Sequence, residues 1–259
     1  MGLNQEEIYE FLEEKTEKYN RPDFIENDPI SIPHKFSTKE DIEISGFITA
    51  IISWGQRKTI INNGNRLVKI MGNSPYDYIM TNNFNVENDQ INSFCHRTFN
   101  GVDCLYFFKA LKYIYSHKGG LETVFTNGYK SNSNNILETI SIFKQVFFSI
   151  DHPSRTRKHI SDPIKNSSAK RINMYLRWMV RKDNRGVDFG IWEGINQSNL
   201  LLPLDIHTGN VARKLGILKR KQNDAKAVIE VTNCLSEYCP LDPIKYDYAL
   251  FGLGSMEKF

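Results

Sequence analysis

Two stretches decide how this chain is read: residues 167–181, SSAKRINMYLRWMVR, and residues 203–217, PLDIHTGNVARKLGI. In the first, Ile172, Leu176, Met179 and Val180 recur at helical spacing, while Lys170, Arg177 and Arg181 share a basic face. A lysine opens this helix, and Ser167 and Ser168 are its cap candidates. In the second, Asp205 follows Pro203-Leu204 and precedes the apolar positions Val211, Ala212 and Leu215, the signature of a capped helix start. A lysine in a first turn sits against the positive end of the helix dipole, which favours its neutral, nucleophilic amine. An N-cap carboxylate is held rigidly and kept ionised. An amine and a carboxylate brought together at two helix N-termini are the parts required for Schiff-base chemistry at a sugar carbon. His207 and Asn210 follow in the first turn, where free backbone N–H groups hold a phosphate. Taken singly, Lys170 is an ordinary solvent lysine and Asp205 an ordinary cap; together they carry chemistry.

Outward from this pair, nearly every periodic segment reads as helix. Residues 3–19 place Ile8, Leu12, Lys15 and Tyr19 along one stripe. Residues 21–37 hold Pro22, Pro29 and Pro33 and read as an ordered extended loop. Thr38 and Asp41 form a capping-box pattern ahead of ISGFITAIISW, and Gly55 breaks that run before TIINNGNRLVKIM resumes it. Ser74-Pro75 reads as N-cap and first helical residue. Residues 103–117 form an aromatic-rich helix closed by Gly119-Gly120, and residues 132–150 a long apolar one. Asp224 and Asp242-Pro243 start two more. The only alternating stretch is Phe84-Asn85-Val86, and there is no internal repeat. The expected fold is all-α in two helical lobes with a cleft between them. Residues 40–150 form one lobe, and residues 1–39 and 151–259 form the other, which carries the Lys170/Asp205 pair.

The 259 residues are 40% hydrophobic, enough for a buried core and inconsistent with disorder, and no apolar run spans a membrane. The amino-terminal stretch is acidic and amphipathic rather than a signal peptide, so a cytoplasmic protein is expected, nucleoid-associated when bound to DNA. The net charge of +3 is unevenly spread: residues 151–221 hold 15 Lys/Arg against 6 Asp/Glu. Positive charge concentrated beside Lys170 and Asp205 points to a polyanion. Cys95, Cys104, Cys234 and Cys239 lack metal-ligand spacing, and Cys234 and Cys239 read as half-buried thiols.

Pro203-Leu204-Asp205-Ile206-His207 running into Val211-Ala212-Arg213-Lys214-Leu215-Gly216 resembles the aspartate segment of the helix-hairpin-helix DNA glycosylases. The Asp-x-His spelling is most similar to the 8-oxoguanine enzymes, and the 35-residue separation of Lys170 from Asp205 to their archaeal branch. Ser167-Ser168-Ala169-Lys170-Arg171-Ile172 resembles the hairpin and its catalytic lysine. Residues 46–66, GFITAIISWGQRKTIINNGNR, resemble the early helix and turn that probe a duplex. The chain also resembles an uncharacterised bacterial family of glycosylase-like proteins. The resemblance covers residues 40–80 and 150–255. The hairpin, Asp162-Pro163-Ile164-Lys165-Asn166-Ser167-Ser168, departs from it in having no glycine. The insert RKDNRGVDFGIWEGINQSNLL is expected to loop out and carry a short helix at residues 189–195.

The resemblance implies a DNA repair glycosylase with AP lyase activity that excises an oxidised base, 8-oxoguanine being the candidate, from a base flipped out of the duplex. Lys170 attacks C1′, and Asp205 activates the amine and stabilises charge at the sugar. Lys165, Ser167, Ser168, Arg171, Arg177, His207, Asn210 and Arg213 contact DNA, with Gln56 and Arg57 from the early turn. Trp54, Tyr248 and Phe251 line a base pocket, although core packing is the ordinary role of such aromatics. The partner is double-stranded DNA with a damaged base or an abasic site, bound by a monomer. No cofactor is implied, and the four-cysteine pattern of an iron–sulfur cluster is absent from the sequence. Two other readings stay open: a non-catalytic DNA- or RNA-binding helical protein of the same fold, and a scaffold whose basic stretch binds an acidic protein.

Overall fold

The structure, a computed structural model, describes residues 4–84 and 89–259. In chain order its helices are α1 (Gln5–Tyr19), α2 (Asp23–Glu26), α3 (Lys39–Ile52), α4 (Arg57–Ile70), α5 (Pro75–Thr81), α6 (Asp89–Asn92), α7 (Gly101–His117), α8 (Leu121–Ser131), α9 (Ile136–Phe147), α10 (Lys170–Val180), α11 (Ile206–Lys214), α12 (Ala225–Tyr238) and α13 (Tyr246–Gly252). Among the described residues the strands amount to one antiparallel pair, β1 (Cys95–His96) with β2 (Phe99–Asn100). The protein is all-α. No helix among the described residues is long and apolar enough to cross a membrane. Leu3, Asn85 and Val86, which the sequence reading placed in a helix start and a short strand, lie outside the described residues.

The chain divides into two units, residues 1–24 with 162–259, and residues 25–161. In the second unit α3 is the apolar centre, with every residue from Ile42 to Ile52 buried. Aromatic rings surround it: Phe107 lies 4.8 Å from Phe147, Phe125 4.1 Å from Phe143, and Phe47 5.5 Å from Phe143. The buried Asp103 carboxylate serves this core by accepting from the Asn100 backbone, from Arg155 at 3.0 Å, and lying 3.2 Å from His159.

Three expectations need correction here. Residues 21–37 are not an extended loop but a run of short helical turns, with Pro29 and Pro33 each in the first turn of a 3₁₀ segment, where a missing N–H is harmless. Thr38 and Asp41 do not cap the α3 backbone. The Thr38 hydroxyl donates to Asp41 instead (2.6 Å), and the Asp41 carboxylate accepts from the Tyr76 backbone (2.8 Å). The single long helix expected over residues 132–150 is α9, preceded by a helix the sequence reading missed, α8. Its Gly128 faces α9, where a Cβ would make ordinary contact with Ile142 at 3.5 Å. Asn135 caps α9.

The first unit is held by α1 against α13. Asn4 and Glu7 close a reciprocal capping box on α1, which buries Ile8, Leu12, Thr16 and Tyr19; Thr16 takes the place expected for Lys15. The Tyr19 ring presses on Gly252, where a Cβ would stand 2.2 Å from Tyr19 Cδ2. Gly252→Ala therefore forces these two helices apart. It is expected to lower stability by about 1–3 kcal/mol, read as a reduced midpoint in urea with an unchanged slope.

Candidate active site

Lys170 Nζ lies 3.8 Å from Asp205 Oδ2, and both side chains keep contact with solvent, at 26% and 22% of full exposure. Local structure explains how each is presented. Asp205 caps α11: its Oδ1 accepts from the backbone of His207 (2.8 Å) and Thr208 (3.0 Å), and Thr208 Oγ1 accepts in return from the Asp205 backbone. That leaves Oδ2 as the oxygen turned to the lysine. Asn223 donates to the Asp205 carbonyl (2.8 Å) and is itself held by Arg213 Nη2 (2.5 Å), so Arg213 works inward, bracing the cap. Arg213, expected at a DNA contact, is half-buried and spends Nε and Nη2 within the fold. Gly209 leaves the room for that brace, since a Cβ there would meet Asn223 Oδ1 at 2.7 Å.

At Lys170 the expected serine caps are absent. The residue before α10 is Ala169, buried and left-handed at φ 46°, ψ 34°, a conformation disfavoured for any residue with a Cβ. Ser167 Oγ accepts from the Ala169 backbone (3.2 Å), and the Ser168 carbonyl accepts from Asn173 (3.0 Å). Both serines thus shape the turn rather than cap the helix. A second left-handed residue, Asn166 at φ 66°, follows the 3₁₀ turn Pro163–Lys165. The glycine-free segment reaches two left-handed positions with an asparagine, which tolerates them, and a strained alanine directly before Lys170. The turn is anchored on α12. Ser167 bridges Asp224, the Asn166 amide donates to the Asp224 carboxylate (3.2 Å), and Arg220 holds that carboxyl well below its usual range.

Beneath the pair lies a buried ion network built on Arg177 and Arg181, residues whose helical spacing suggests a basic face. Arg177 is buried and contacts Asp247 through Nη1 and Asp188 through Nε (3.2 Å), with its guanidinium 4.4 Å from the centre of the Tyr248 ring. Arg181, also buried, reaches Asp188 (2.9 Å), Asp242 (2.9 Å) and Asp183 (2.8 Å). Arg177 is therefore no phosphate contact. It shares the Lys170 face two turns deeper, where Asp188 and Asp247 enclose it. Arg177→Ala strands these carboxylates and is expected to destabilise the protein by about 3–5 kcal/mol. A DNA contact would instead leave stability alone and flatten the salt dependence of binding.

The insert after α10 does not loop out, nor does it form a helix at residues 189–195. Phe189 and Trp192 donate backbone hydrogen bonds to Trp178 (2.8 Å) and Met179 (2.9 Å), and Trp192 is buried edge-on against Tyr175. This fold-back delivers Asp188 to the two arginines. Tyr248 is fully buried, wedged between Arg177 and Phe24, and cannot face an extruded base. Phe251 is half-buried with its ring 6.1 Å from Phe24. Burial drives the Asp247 carboxyl up to about 6, against the pull of Arg177; the Asp205 charge adds to the rise and Lys170 opposes it. The sign follows: the stability this group adds is present below about pH 4 and lost as pH rises through about 6.

Around the pair, Lys165, Ile206, His207, Asn210 and Lys214 are exposed, and Arg171 is half-buried, its guanidinium pulled down to about 10 by burial. Trp54, Gln56 and Arg57 belong to the unit of residues 25–161. There Gln56 is exposed, and the half-buried Trp54 carries Arg97 at 5.0 Å over its ring while its carbonyl accepts from His96 Nε2 (3.1 Å). All four cysteines are free thiols; Cys234 and Cys239 are partly exposed on and just after α12.

A family model described as "Protein of unknown function (DUF2400)" matches residues 28–256. The chain belongs to this family. No curated protein and no solved structure matches it. The matched residues of this DUF2400 chain include α10, α11 and α13, hence Lys170, Asp205 and the whole ion network beneath them.

Proposed function

We propose that this DUF2400 protein is a DNA glycosylase with AP lyase activity, excising an oxidised base through a Schiff base on Lys170, with 8-oxoguanine the first base to test. The observation that carries the reading is the approach of Lys170 Nζ to Asp205 Oδ2, 3.8 Å, with both groups open to solvent at the starts of two helices. An amine beside a fixed carboxylate suits attack on a sugar carbon that develops positive charge: the lysine forms the bond, and the carboxylate stabilises the cation. The cap hydrogen bonds to Asp205 Oδ1 support this, because they hold the carboxylate in one orientation with Oδ2 turned to Lys170, where the sugar carbon would be attacked.

The partner in this reading is double-stranded DNA. Lys165 on the turn before α10 and His207, Asn210 and Lys214 on α11 offer exposed cationic and polar groups on the elements that present the pair. The exposed Lys165 and Asn166 of the glycine-free turn before α10 add a cation and an amide beside the pair. Borohydride reduction of the protein on a duplex with an abasic site tests the chemistry. A covalent adduct is expected; salt-sensitive binding with no adduct would leave a non-catalytic nucleic-acid binder of the same fold.

A further inference from the structure

The peptide unit directly before Lys170 is held at both ends against its own backbone preference. Ala169 is left-handed at φ 46°, ψ 34°, where its Cβ crowds the following carbonyl oxygen. The peptide between Ser168 and Ala169 has a side chain on each of its polar groups. Asn173 Nδ2 donates to the Ser168 carbonyl (3.0 Å), and Ser167 Oγ accepts from the Ala169 N–H (3.2 Å). Rotating that peptide plane would let Ala169 relax, and it would break both bonds. Asn173 is the deeper of the two clamps. It lies on α10 three residues after Lys170, on the same face, and is 1% exposed. Its Oδ1 is buried as well and takes no hydrogen bond among the described residues. A half-satisfied amide in a core lowers stability where an apolar side chain would not. The bond to Ser168, rather than core packing, accounts for an asparagine at this position.

We propose that Asn173 is a positioning residue for Lys170: it locks the Ser168–Ala169 peptide in the strained orientation that directs the first turn of α10, and with it the amine, toward Asp205. The inference rests on the Schiff-base reading above. The strain at Ala169 has no other place to relax. On one side the turn is tied to α12, where the Asn166 amide donates to Asp224 (3.2 Å) and the Ala225 N–H to the Asn166 carbonyl (3.3 Å). On the other side α10 is buried without a break from Ile172 to Val180. Relaxation at Ala169 therefore falls on the residues between, and Lys170 is one of them. Asp205 does not depend on this peptide, because its own cap bonds and Asn223 fix it. A shift at residues 168–171 thus opens the 3.8 Å approach of Nζ to Oδ2 from the lysine side alone. Displacing one member of a reacting pair by about 1 Å slows a reaction by up to about 10²-fold.

Single-turnover strand cleavage at an abasic site, with DNA saturating, tests the inference in the wild type, Asn173→Ala, Ala169→Gly and the double variant. Asn173→Ala is expected to cleave about tenfold more slowly, the factor by which the left-handed conformer is disfavoured once its clamp is gone. Half-saturation by DNA stays within a few-fold, since the aim of the amine has changed and the phosphate contacts have not. Glycine adopts the left-handed conformation without that penalty. The double variant therefore regains most of the lost rate, while Ala169→Gly alone stays near wild type. If Asn173 only filled the core, glycine at 169 would add flexibility and leave the loss as it was or deepen it. Ser167→Ala removes the other clamp at a half-buried position, and covers the case in which Asn173→Ala does not fold. It gives a smaller loss that Ala169→Gly relieves in the same way. The Cα and Cβ carbon shifts of Ala169 read its φ in the absence of DNA. They are left-handed in the wild type and move to right-handed or extended values in Asn173→Ala. An unchanged rate in Asn173→Ala, a loss that Ala169→Gly does not relieve, or unmoved Ala169 shifts overturns the inference and leaves the Schiff base standing. No cleavage and no borohydride adduct in the wild type overturns the Schiff-base reading, and the role of Asn173 falls with it.

Discussion

Lys170→Gln is expected to form no covalent adduct with abasic DNA under borohydride, while its salt-dependent DNA affinity stays within a few-fold of wild type. Glutamine is one atom shorter than lysine and still polar at its tip but has no amine to form an imine, so adduct formation is lost outright. The fold has little to lose. Lys170 is partly exposed and its one ion pair is long, at 3.8 Å, a geometry that contributes at most about 1 kcal/mol at a surface. Binding persists because other exposed groups on the same elements, Lys165, His207, Asn210 and Lys214, supply the phosphate contacts in this reading. A Lys170→Gln protein that still traps would move the nucleophile elsewhere.

Asp205→Asn separates capping from chemistry more sharply than alanine could. Asparagine caps a helix about as well as aspartate. Its side-chain oxygen can take the same bonds from His207 and Thr208 that Asp205 Oδ1 accepts, so stability should be nearly unchanged. The charge facing Lys170 is gone, however. Release of the base, or strand cleavage at an abasic site, is expected to fall by about 10²-fold or more, the loss typical of removing one group that stabilises developing charge. Normal turnover in Asp205→Asn would reduce this residue to a cap.

The sequence carries the helices of this fold best where periodicity and cap agree, as at α11 behind Asp205 and α12 behind Asp224; at α3 and α10 the periodicity held although the expected caps did not. The pairing of Lys170 with Asp205 could be anticipated because each opens a helix and the basic charge concentrates around them. What stayed hidden depends on depth. Lys170 and Arg177 lie on one face of α10, but the helical period says nothing about what covers that face, and the fold-back of residues 187–192 buries Arg177 while leaving Lys170 open. That fold-back is itself illegible: a polar, glycine-containing segment reads as a loop, and its hydrogen bonds to Trp178 and Met179 are tertiary. Asp247 escaped notice because a charged residue in an apolar helix looks like a surface position until its partner is known. A signal was present nonetheless for Arg177, which stands between Leu176 and Trp178 in the apolar run of residues 172–180, and buried charge is rarely left unpaired. α8 was missed because Gly128 and the β-branched residues around it depress helix propensity, which packing on α9 overrides.

The most direct measurement is borohydride trapping of the wild-type protein on a duplex carrying an abasic site, followed by peptide mapping of the adduct. The account predicts a single covalent species whose modified peptide contains Lys170. An adduct mapped to another lysine, or no adduct while DNA binding is intact, would contradict it.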